Sequence, residues 1–477
     1  MKRYEQYANE LATLIRSGTL RPGDRLPSVR HASRTRKISP ATVFEAYYLL
    51  EARGLIQPRA RSGYFVSSLA DALPDDGHTP EPSRPKRRSA KVAISDLVFE
   101  VLGSVKDREV VPLGSAFPSP ELFPLGQLAR HLARGMRTLD PWRIVEDLPP
   151  GNHRLRRQIG LRYGIAGMNI DADEIIVTSG ALEALNLCLS AVTRPGDIVV
   201  VESPTFYAAL QALERLSLKV VEVATSPRDG IDLESLAAVL QRHAVKACWL
   251  MPNFQNPLGS CMSDERKQAL VALLASHQVP LIEDDVYAEL YFGAQAALPA
   301  KAYDRSGMVM HCASFSKCLA PGYRVGWAAA GKFAQKVERL KLMTTLSAAV
   351  PSQEAIASYL EQGGYDRHLR KLRSALARQQ RLALEAITKH FPAGTRVTRP
   401  EGGYFLWLEL PSGIDALELH RQAIERRISI APGQLFSADR RFTHCVRINT
   451  GYPDDRKILA ALKTVGQLAN ALLPSPS

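Results

Sequence analysis

Short apolar runs alternate with amphipathic helix patterns from residue 93 to the end of the chain. Four of these runs, 175–178, 197–201, 247–251 and 280–284, are rich in the residue types that strands favour. Nearly continuous apolar strands separated by helices predict a parallel or mixed sheet that is covered on both faces. Doubly wound sheets of this kind bind ligands at the carboxyl ends of their strands. Polar residues directly after each run are therefore the first candidates for a site.

The first 68 residues have a different pattern, in which three helix signals precede a hairpin signal. Apolar spacing over 11–16 predicts a first helix, and Ser28 is a suitable N-cap for a second helix that ends near residue 35. Ser39 and Pro40 predict the start of a third helix. This helix is expected to carry Phe44, Tyr47 and Leu50 on one face. Residues 55–66 predict a β-hairpin with an arginine-rich tip.

Three helices and a basic hairpin form the winged helix-turn-helix plan, in which the later helix enters the major groove of DNA. The distribution of charge supports this interpretation. The net charge is +13, from 61 basic and 48 acidic residues. The first 68 residues hold twelve basic and five acidic residues, so this small segment carries about half of the excess. The alternative is a helical protein-interaction module with a solvated basic face.

Segment 69–92 separates the two patterns. Its four prolines and many polar residues cannot bury a core, which predicts a flexible, partly extended linker. We therefore expect a multidomain protein with a DNA-binding domain at 1–68, this linker, and a larger domain at 93–477. Six cysteines without a CxxC pair predict reduced thiols. With no apparent signal peptide and no apolar run of about 18 residues, we expect a cytoplasmic protein that does not span a membrane.

The candidate chemistry centres on Lys317, which ends the stretch Ser314-Phe315-Ser316-Lys317 and precedes Arg324 by seven residues. A lysine between small hydroxyls and an arginine suits pyridoxal 5′-phosphate. The lysine forms a Schiff base with the aldehyde of this cofactor, and the hydroxyls and the guanidinium hold its phosphate.

Further candidates follow the predicted strands. Ser179, Gly180 and Ala181 open a helix, where backbone N–H groups can bind a phosphate. Asp284 ends a strand, where a carboxylate can keep the pyridine nitrogen of the cofactor protonated. Taken singly, these motifs also fit an ordinary strand-to-helix turn and a solvated loop end. The other candidates are Asn256 and Tyr287 for the phenolic oxygen, Phe206 or its neighbour Tyr207 for stacking on the ring, and Arg447 for a substrate carboxylate. No His/Cys set has zinc spacing, so no metal site is expected.

The order of these motifs resembles the fold-type I aminotransferases over about residues 110–470, and residues 4–68 resemble the GntR family. The combination resembles the MocR subfamily of bacterial transcription regulators. The resemblance implies a small α+β winged helix-turn-helix domain followed by an α/β PLP-dependent transferase domain of the aminotransferase type. It assigns the cofactor contacts to Ser179, Gly180, Ala181, Phe206, Asn256, Asp284, Tyr287, Ser314, Ser316, Lys317 and Arg324. The implied DNA contacts are Arg25, Arg30, Ser39, Thr42 and Arg61.

In function, the resemblance implies a homodimer that binds double-stranded operator DNA and associates with the nucleoid when bound. The larger domain would sense an amino compound or the cofactor itself through an external aldimine at Lys317. The alternative is a working aminotransferase with an appended DNA-binding domain, because the freed lysine could also shuttle a proton. Both functions need the same groups.

Overall fold

The computed structural model describes residues 3–52, 55–59, 62–67, 79–103, 107–137, 139–293, 295–453 and 455–473. The predicted domain boundary at residue 68 and the first part of the predicted linker lie outside these residues. No helix within the described ranges is long and apolar enough to cross a membrane.

The N-terminal head consists of three helices and a two-stranded antiparallel hairpin, as the sequence predicts. Its elements are α1 (Arg3–Arg16), α2 (Val29–Arg36), α3 (Pro40–Ala52), β1 (Ile56–Arg59) and β2 (Gly63–Val66). Ser28 caps α2 by accepting a hydrogen bond from the backbone N–H of His31 at 3.2 Å. Ser39 does the same for α3 by accepting from the N–H of Thr42 at 3.1 Å.

The expectation that Phe44 shares one face with Tyr47 and Leu50 is wrong, because the Phe44 side chain is 48% exposed and the other two are buried. Val43, Ala46, Tyr47 and Leu50 are buried instead. Their spacing of three, four and seven residues places them on one helix face, and Phe44 lies about 100° away from Val43 around the helix. Tyr47 is fixed further, since its hydroxyl donates to the carbonyl of Pro27 at 2.7 Å.

The larger body combines a mixed sheet, a second smaller sheet and helices that cover them. Its helices are α4 (Ser95–Gly103), α5 (Leu125–Arg137), α6 (Arg143–Glu146), α7 (His153–Ile165), α8 (Ala181–Val192), α9 (Tyr207–Arg215), α10 (Leu233–Arg242), α11 (Asp264–Ser276), α12 (Ala334–Thr344), α13 (Val350–Glu361), α14 (Gly364–His390), α15 (Ala416–Glu425) and α16 (Asp455–Ala471). Its strands are β3 (Ala90–Lys91), β4 (Val111–Pro112), β5 (Ile175–Thr178), β6 (Ile198–Ser203), β7 (Lys219–Ser226), β8 (Gly230–Ile231), β9 (Val245–Leu250), β10 (Leu281–Asp284), β11 (Val309–Ser314), β12 (Gly326–Ala329), β13 (Arg396–Val397), β14 (Phe405–Glu409), β15 (Ile428–Ser429), β16 (Ala431–Pro432) and β17 (Cys445–Asn449).

The main sheet has the strand order β3-β7-β6-β9-β10-β11-β12-β5, with β8 paired to β7. The five strands from β7 to β11 run parallel, whereas β12 is antiparallel to both of its neighbours. The parallel strands have their carboxyl ends at one edge, and Ser203, Asp284 and Ser314 end β6, β10 and β11 there. The smaller antiparallel sheet, β13-β14-β17-β16, supplies Arg447 from β17.

The described part of the predicted linker, residues 79–92, lies against the main sheet. Ser83 donates to the carbonyl of Ser203, and Arg87 donates to the hydroxyl of Ser235 at 2.7 Å. Ala90 and Lys91 then pair with β7. These contacts fix the second half of the segment to the larger body, although its composition predicted a flexible, partly extended linker. Hydrogen bonds of backbone and hydroxyl groups can therefore hold a polar segment in place even though it buries no apolar core.

Candidate functional site

Lys317 follows β11 and lies in a half-buried pocket at the carboxyl edge of the main sheet. Its Nζ donates to the carbonyl of Ala116 at 2.9 Å and lies 3.7 Å from the centre of the Phe117 ring. Burial, together with the nearby charge of Arg447, lowers the pKa of Lys317 to about 7, although Asp284 acts in the opposite direction. A large fraction of this amine is therefore uncharged and nucleophilic at neutral pH.

Asp284 ends β10 and is 1% exposed. Burial raises the pKa of this carboxyl group to about 7, against the opposing charge of Lys317. Its Oδ1 is buried and has no hydrogen-bond partner among the described residues. A buried carboxylate oxygen without a donor is costly, so this atom is suited to accept a hydrogen bond from a bound cationic N–H group.

A hydrogen-bonded chain joins Arg447, Asn256 and Tyr287. Arg447 Nη1 donates to Asn256 Oδ1 at 3.0 Å, and Asn256 Nδ2 lies 3.4 Å from the Tyr287 hydroxyl. The Arg447 side chain is fully buried, and its Nη2 donates to the carbonyl of Gly114 at 2.7 Å. Its Nε has no partner among the described residues. The guanidinium thus keeps donor capacity for an incoming carboxylate.

The start of α8 and the loop after β11 form a cup lined by groups that can bind an anion, which we call the anion-binding cup. Gly180 precedes α8 with a φ of 93°. Arg324 reaches this turn, where its Nη2 donates to the carbonyl of Ser179 at 3.0 Å and its Nη1 donates to the hydroxyl of Ser316 at 3.3 Å. Ser314 accepts from the backbone N–H of Ser316 at 3.3 Å. Helix N–H groups, hydroxyls and a guanidinium therefore converge, as a phosphate requires.

At this helix start, where backbone N–H groups were expected to bind a phosphate, one N–H group already has a partner. The N–H of Ser179 already donates to Glu183 Oε2 at 2.5 Å. Glu183 in turn accepts from Lys341 Nζ at 2.9 Å. The hydroxyl of Ser179 is thus the group of this residue that can still bind an anion. No motif pointed to the role of Glu183.

Phe206 and Tyr207 were alternatives for stacking on a ring, and the structure separates them. Tyr207 is buried, and its ring centre lies 5.9 Å from that of Phe436. Burial raises the pKa of the Tyr207 hydroxyl, and the nearby positive charge of Arg447 opposes this rise. Phe206 is half-buried and packs against the core clusters on both sides of the pocket. It is the better candidate for an aromatic contact with a bound ring.

Four of the five predicted DNA contacts lie among the described residues, and Arg61 lies outside them. Arg25, Arg30 and Ser39 are exposed, and Thr42 is half-buried at the start of α3. Ser39 Oγ and Thr42 Oγ1 are 2.8 Å apart, so both hydroxyls are at the beginning of the predicted recognition helix. Arg25 pairs through its backbone with Phe65 of the hairpin and is placed beside the wing.

Comparison with known proteins divides the chain in the same way. Residues 3–66 match the model of the gntR family of bacterial regulatory proteins, and residues 148–464 match aminotransferase class I and II. The HTH-type transcriptional regulator YdcR of Escherichia coli is 49% identical over 468 residues, which cover 98% of this chain and 99% of the relative. The chain belongs to the MocR-type regulators of the GntR family.

Other relatives of this MocR-type chain match either its full length or its larger body. The HTH-type transcriptional regulator YjiR of Escherichia coli is 38% identical and covers 98% of both chains. Aromatic-amino-acid aminotransferase 1 of Thermococcus litoralis is 32% identical, over 78% of this chain and 90% of the relative. The crystal structure of the Pyrococcus horikoshii kynurenine aminotransferase covers 80% of this chain and 95% of its own, at 31% identity and a TM-score of 0.73.

Sequence reasoning missed the segment that closes the pocket over Lys317. Gly114, Ser115, Ala116 and Phe117 contribute carbonyls or a ring to Lys317 and Arg447. Tyr404 also donates to the carbonyl of Ala116, at 3.0 Å. Backbone carbonyls act here without regard to side-chain identity, so the motif carries almost no sequence signal.

Proposed function

We propose that this protein is a transcription regulator whose head binds operator DNA and whose larger body binds pyridoxal 5′-phosphate and senses an amino compound at Lys317. The observation that carries the proposal is the joining, in one chain, of a GntR-type head to a pocket with a low-pKa lysine. The charges of Asp284 and Arg447 both act on that lysine.

The residues of the pocket fit the cofactor. Asp284 Oδ1 offers an acceptor to the pyridine N–H, and Asn256 and Tyr287 offer polar atoms to the phenolic oxygen. The cup at Gly180 suits the phosphate, because a side-chain carbon there would lie 2.4 Å from Arg324 Nη2. When bound, the cofactor would supply an aldehyde that bonds to amines and a ring that withdraws electrons from them.

Each protein group then has a definite task. Lys317 would supply the uncharged amine that holds the aldehyde, in a position for which the amine of a ligand could compete. Lys317 Nζ is then free to accept a proton or to move within the pocket. Arg447 orients an α-carboxylate on the ligand through paired hydrogen bonds. A ligand that binds one domain conformation better than another shifts the population of the two, and the head would follow that shift.

We also propose that the protein acts as a homodimer. Exposed apolar side chains lie around the cup, on α8 and on α12 and its following loop: Leu182, Leu342, Met343 and Leu346. Met343 is 79% exposed. The ion pair between Glu183 and Lys341 at 2.9 Å joins these two helices. A second copy of the chain would cover this apolar surface and would place two heads on one operator.

The test is to mix the cofactor-loaded protein with a panel of amino acids and to follow the visible spectrum with and without a keto acid. A ligand-dependent spectral change without turnover, together with specific binding of promoter DNA, supports the regulator. Multiple turnovers without a change in DNA binding would assign the same site to a transaminase instead. Lys317→Ala is the control, since it removes the amine and should abolish the lysine-dependent absorbance.

A further inference from the structure

A second cavity, of about 440 Å³, lies on the face of the main sheet that is opposite to Asp284. Successive side chains of a strand point to opposite faces. Asp284 pairs with Cys312 of β11, so the neighbouring side chains of that strand, His311 and Ala313, point to the opposite face, where they line this cavity. Asp285, which directly follows β10, lines it as well. The volume is within the range of small-molecule sites, which is about 300–1,000 Å³.

The inner wall is aromatic and apolar, and its polar atoms already have partners. The hydroxyl of Tyr163 accepts from Trp327 Nε1 at 2.7 Å and lies 2.7 Å from His311 Nε2. Asp285 accepts from Asn253 Nδ2 at 3.0 Å and is 4.0 Å from the His311 ring nitrogen Nδ1. Because these groups satisfy one another, the wall offers mainly ring faces and edges to a ligand. The apolar contacts are Ile159, Met168 and Phe315.

The mouth of the cavity carries three arginines, of which two are paired. Arg162 lies 2.8 Å from Glu289 Oε1 and 3.0 Å from Asp366 Oδ1, and Arg373 lies 2.9 Å from Glu289 Oε2. Arg370 is exposed and forms no ion pair with any described residue. A guanidinium with free donors beside an apolar cavity is suited to bind a carboxylate.

The cavity lies close to the loop that carries Lys317 and to the N-terminal head. Ser314 and Cys318, which line it, flank Lys317 in the chain. Arg373 is followed by Ser374, whose hydroxyl lies 3.5 Å from Glu51 Oε1 of α3 in the head. A ligand in the cavity would therefore contact the loop that carries the reactive lysine and the helix on which the head rests.

We propose that this cavity binds a small aromatic carboxylic acid, with its ring among Tyr163, Phe315 and Trp327 and its carboxylate on Arg370. Such a ligand needs no amine, so its binding does not depend on chemistry at Lys317 and does not rest on the function proposed above. The site would add a second ligand input to the cofactor pocket.

The experiment is isothermal titration of the cofactor-loaded full chain with three probes that share one ring. Phenylacetate carries the carboxylate, phenylacetamide is its neutral counterpart, and benzyltrimethylammonium has the opposite charge and cannot condense with an aldehyde. We expect saturable binding of phenylacetate at one site per chain and at least tenfold weaker binding of the other two, because a charge-assisted hydrogen bond is lost. No saturable binding of phenylacetate, or tighter binding of the cation, overturns the proposal.

Three variants locate the binding. Arg370→Gln changes only an exposed side chain and should weaken phenylacetate binding about tenfold. Ala297→Phe fills the cavity from a half-buried loop position and should abolish binding. Arg447→Lys alters the cofactor pocket and should leave binding unchanged. Binding that is lost in Arg447→Lys and retained in Ala297→Phe would place the probe in the cofactor pocket and refute the second site.

Discussion

Replacing Gly180 with alanine tests the anion-binding cup directly. Gly180 has a φ of 93° and a ψ of 166°, a conformation that costs a residue with a side chain about 1–3 kcal/mol. Its new Cβ would also lie 2.4 Å from Arg324 Nη2 and 2.8 Å from Arg324 Cζ. The guanidinium must therefore move by about 1 Å to restore ordinary contact distances.

This displacement breaks the hydrogen bond of Arg324 to Ser179, which is 3.0 Å long, and withdraws the guanidinium from a bound phosphate. A hydrogen bond to a charged group contributes about 1.5–3 kcal/mol, so we expect cofactor affinity to fall about 10- to 100-fold. Gly196→Ala is the matched control. Gly196 has a φ of 91°, but no atom lies within 4 Å of the added carbon, so only the backbone cost remains.

The assay has two parts. Denaturant unfolding of the cofactor-free proteins should show lower free energies of unfolding for both variants, because both force alanine into a positive φ. Absorbance titration with pyridoxal 5′-phosphate should show weaker binding for the Gly180 variant alone. Equal cofactor affinity of the two variants would refute the placement of the phosphate beside Gly180 and Arg324.

Three further predictions concern the pocket and the head. Asp284→Asn should slow the ligand-dependent spectral change about 100-fold, because an amide cannot carry the charge that stabilises the protonated ring; an unchanged rate would contradict this role. Burial lowers the pKa of Lys317 to about 7, so the rate of cofactor attachment to the cofactor-free protein should rise between pH 6 and pH 8 and then level off, as the amine loses its proton. A rate that keeps rising beyond pH 9 would indicate an ordinary lysine. Tyr47→Phe removes a buried hydrogen bond and should lower the protection of α3 amides in hydrogen exchange by about 1 kcal/mol. Phe44→Ala, at an exposed site, should change this protection by less than about 0.5 kcal/mol. Equal effects of the two variants would contradict the burial pattern of α3.

The sequence predicts the elements well where periodicity and capping agree. The run 175–178 coincides with β5, and Ser28 and Ser39 cap the helices for which they were proposed. Phe44 was misplaced because a short helix with many apolar residues does not define its buried face sharply. Residues 79–92 were expected to form part of a flexible, partly extended linker. Their attachment to the larger body gave no signal, because a segment that pairs with a neighbouring strand needs no apolar pattern of its own.

The candidate site was predictable where a side chain itself is the reactive group. Lys317 and Asp284 carry distinctive charges just after or at the end of a strand, and Arg447 carries one within an apolar strand. The structure brings Asp284 and Arg447 close enough to Lys317 to change its pKa. The carbonyls of Gly114 and Ala116 could not be predicted, because every residue has one. The pairing of Glu183 with the Ser179 N–H depends on the packing of α12 against α8, which no local pattern encodes.

The central claim is that an amino compound, acting at Lys317, changes the way this protein binds DNA. The most direct measurement is fluorescence anisotropy of labelled promoter DNA with the cofactor-loaded wild type and with Lys317→Ala, each titrated with an amino-acid panel at fixed salt. We predict that at least one amino acid shifts the DNA affinity of the wild type and leaves that of the variant unchanged. The same shift in both proteins, or rapid transamination by a wild type whose DNA affinity never changes, would contradict the claim.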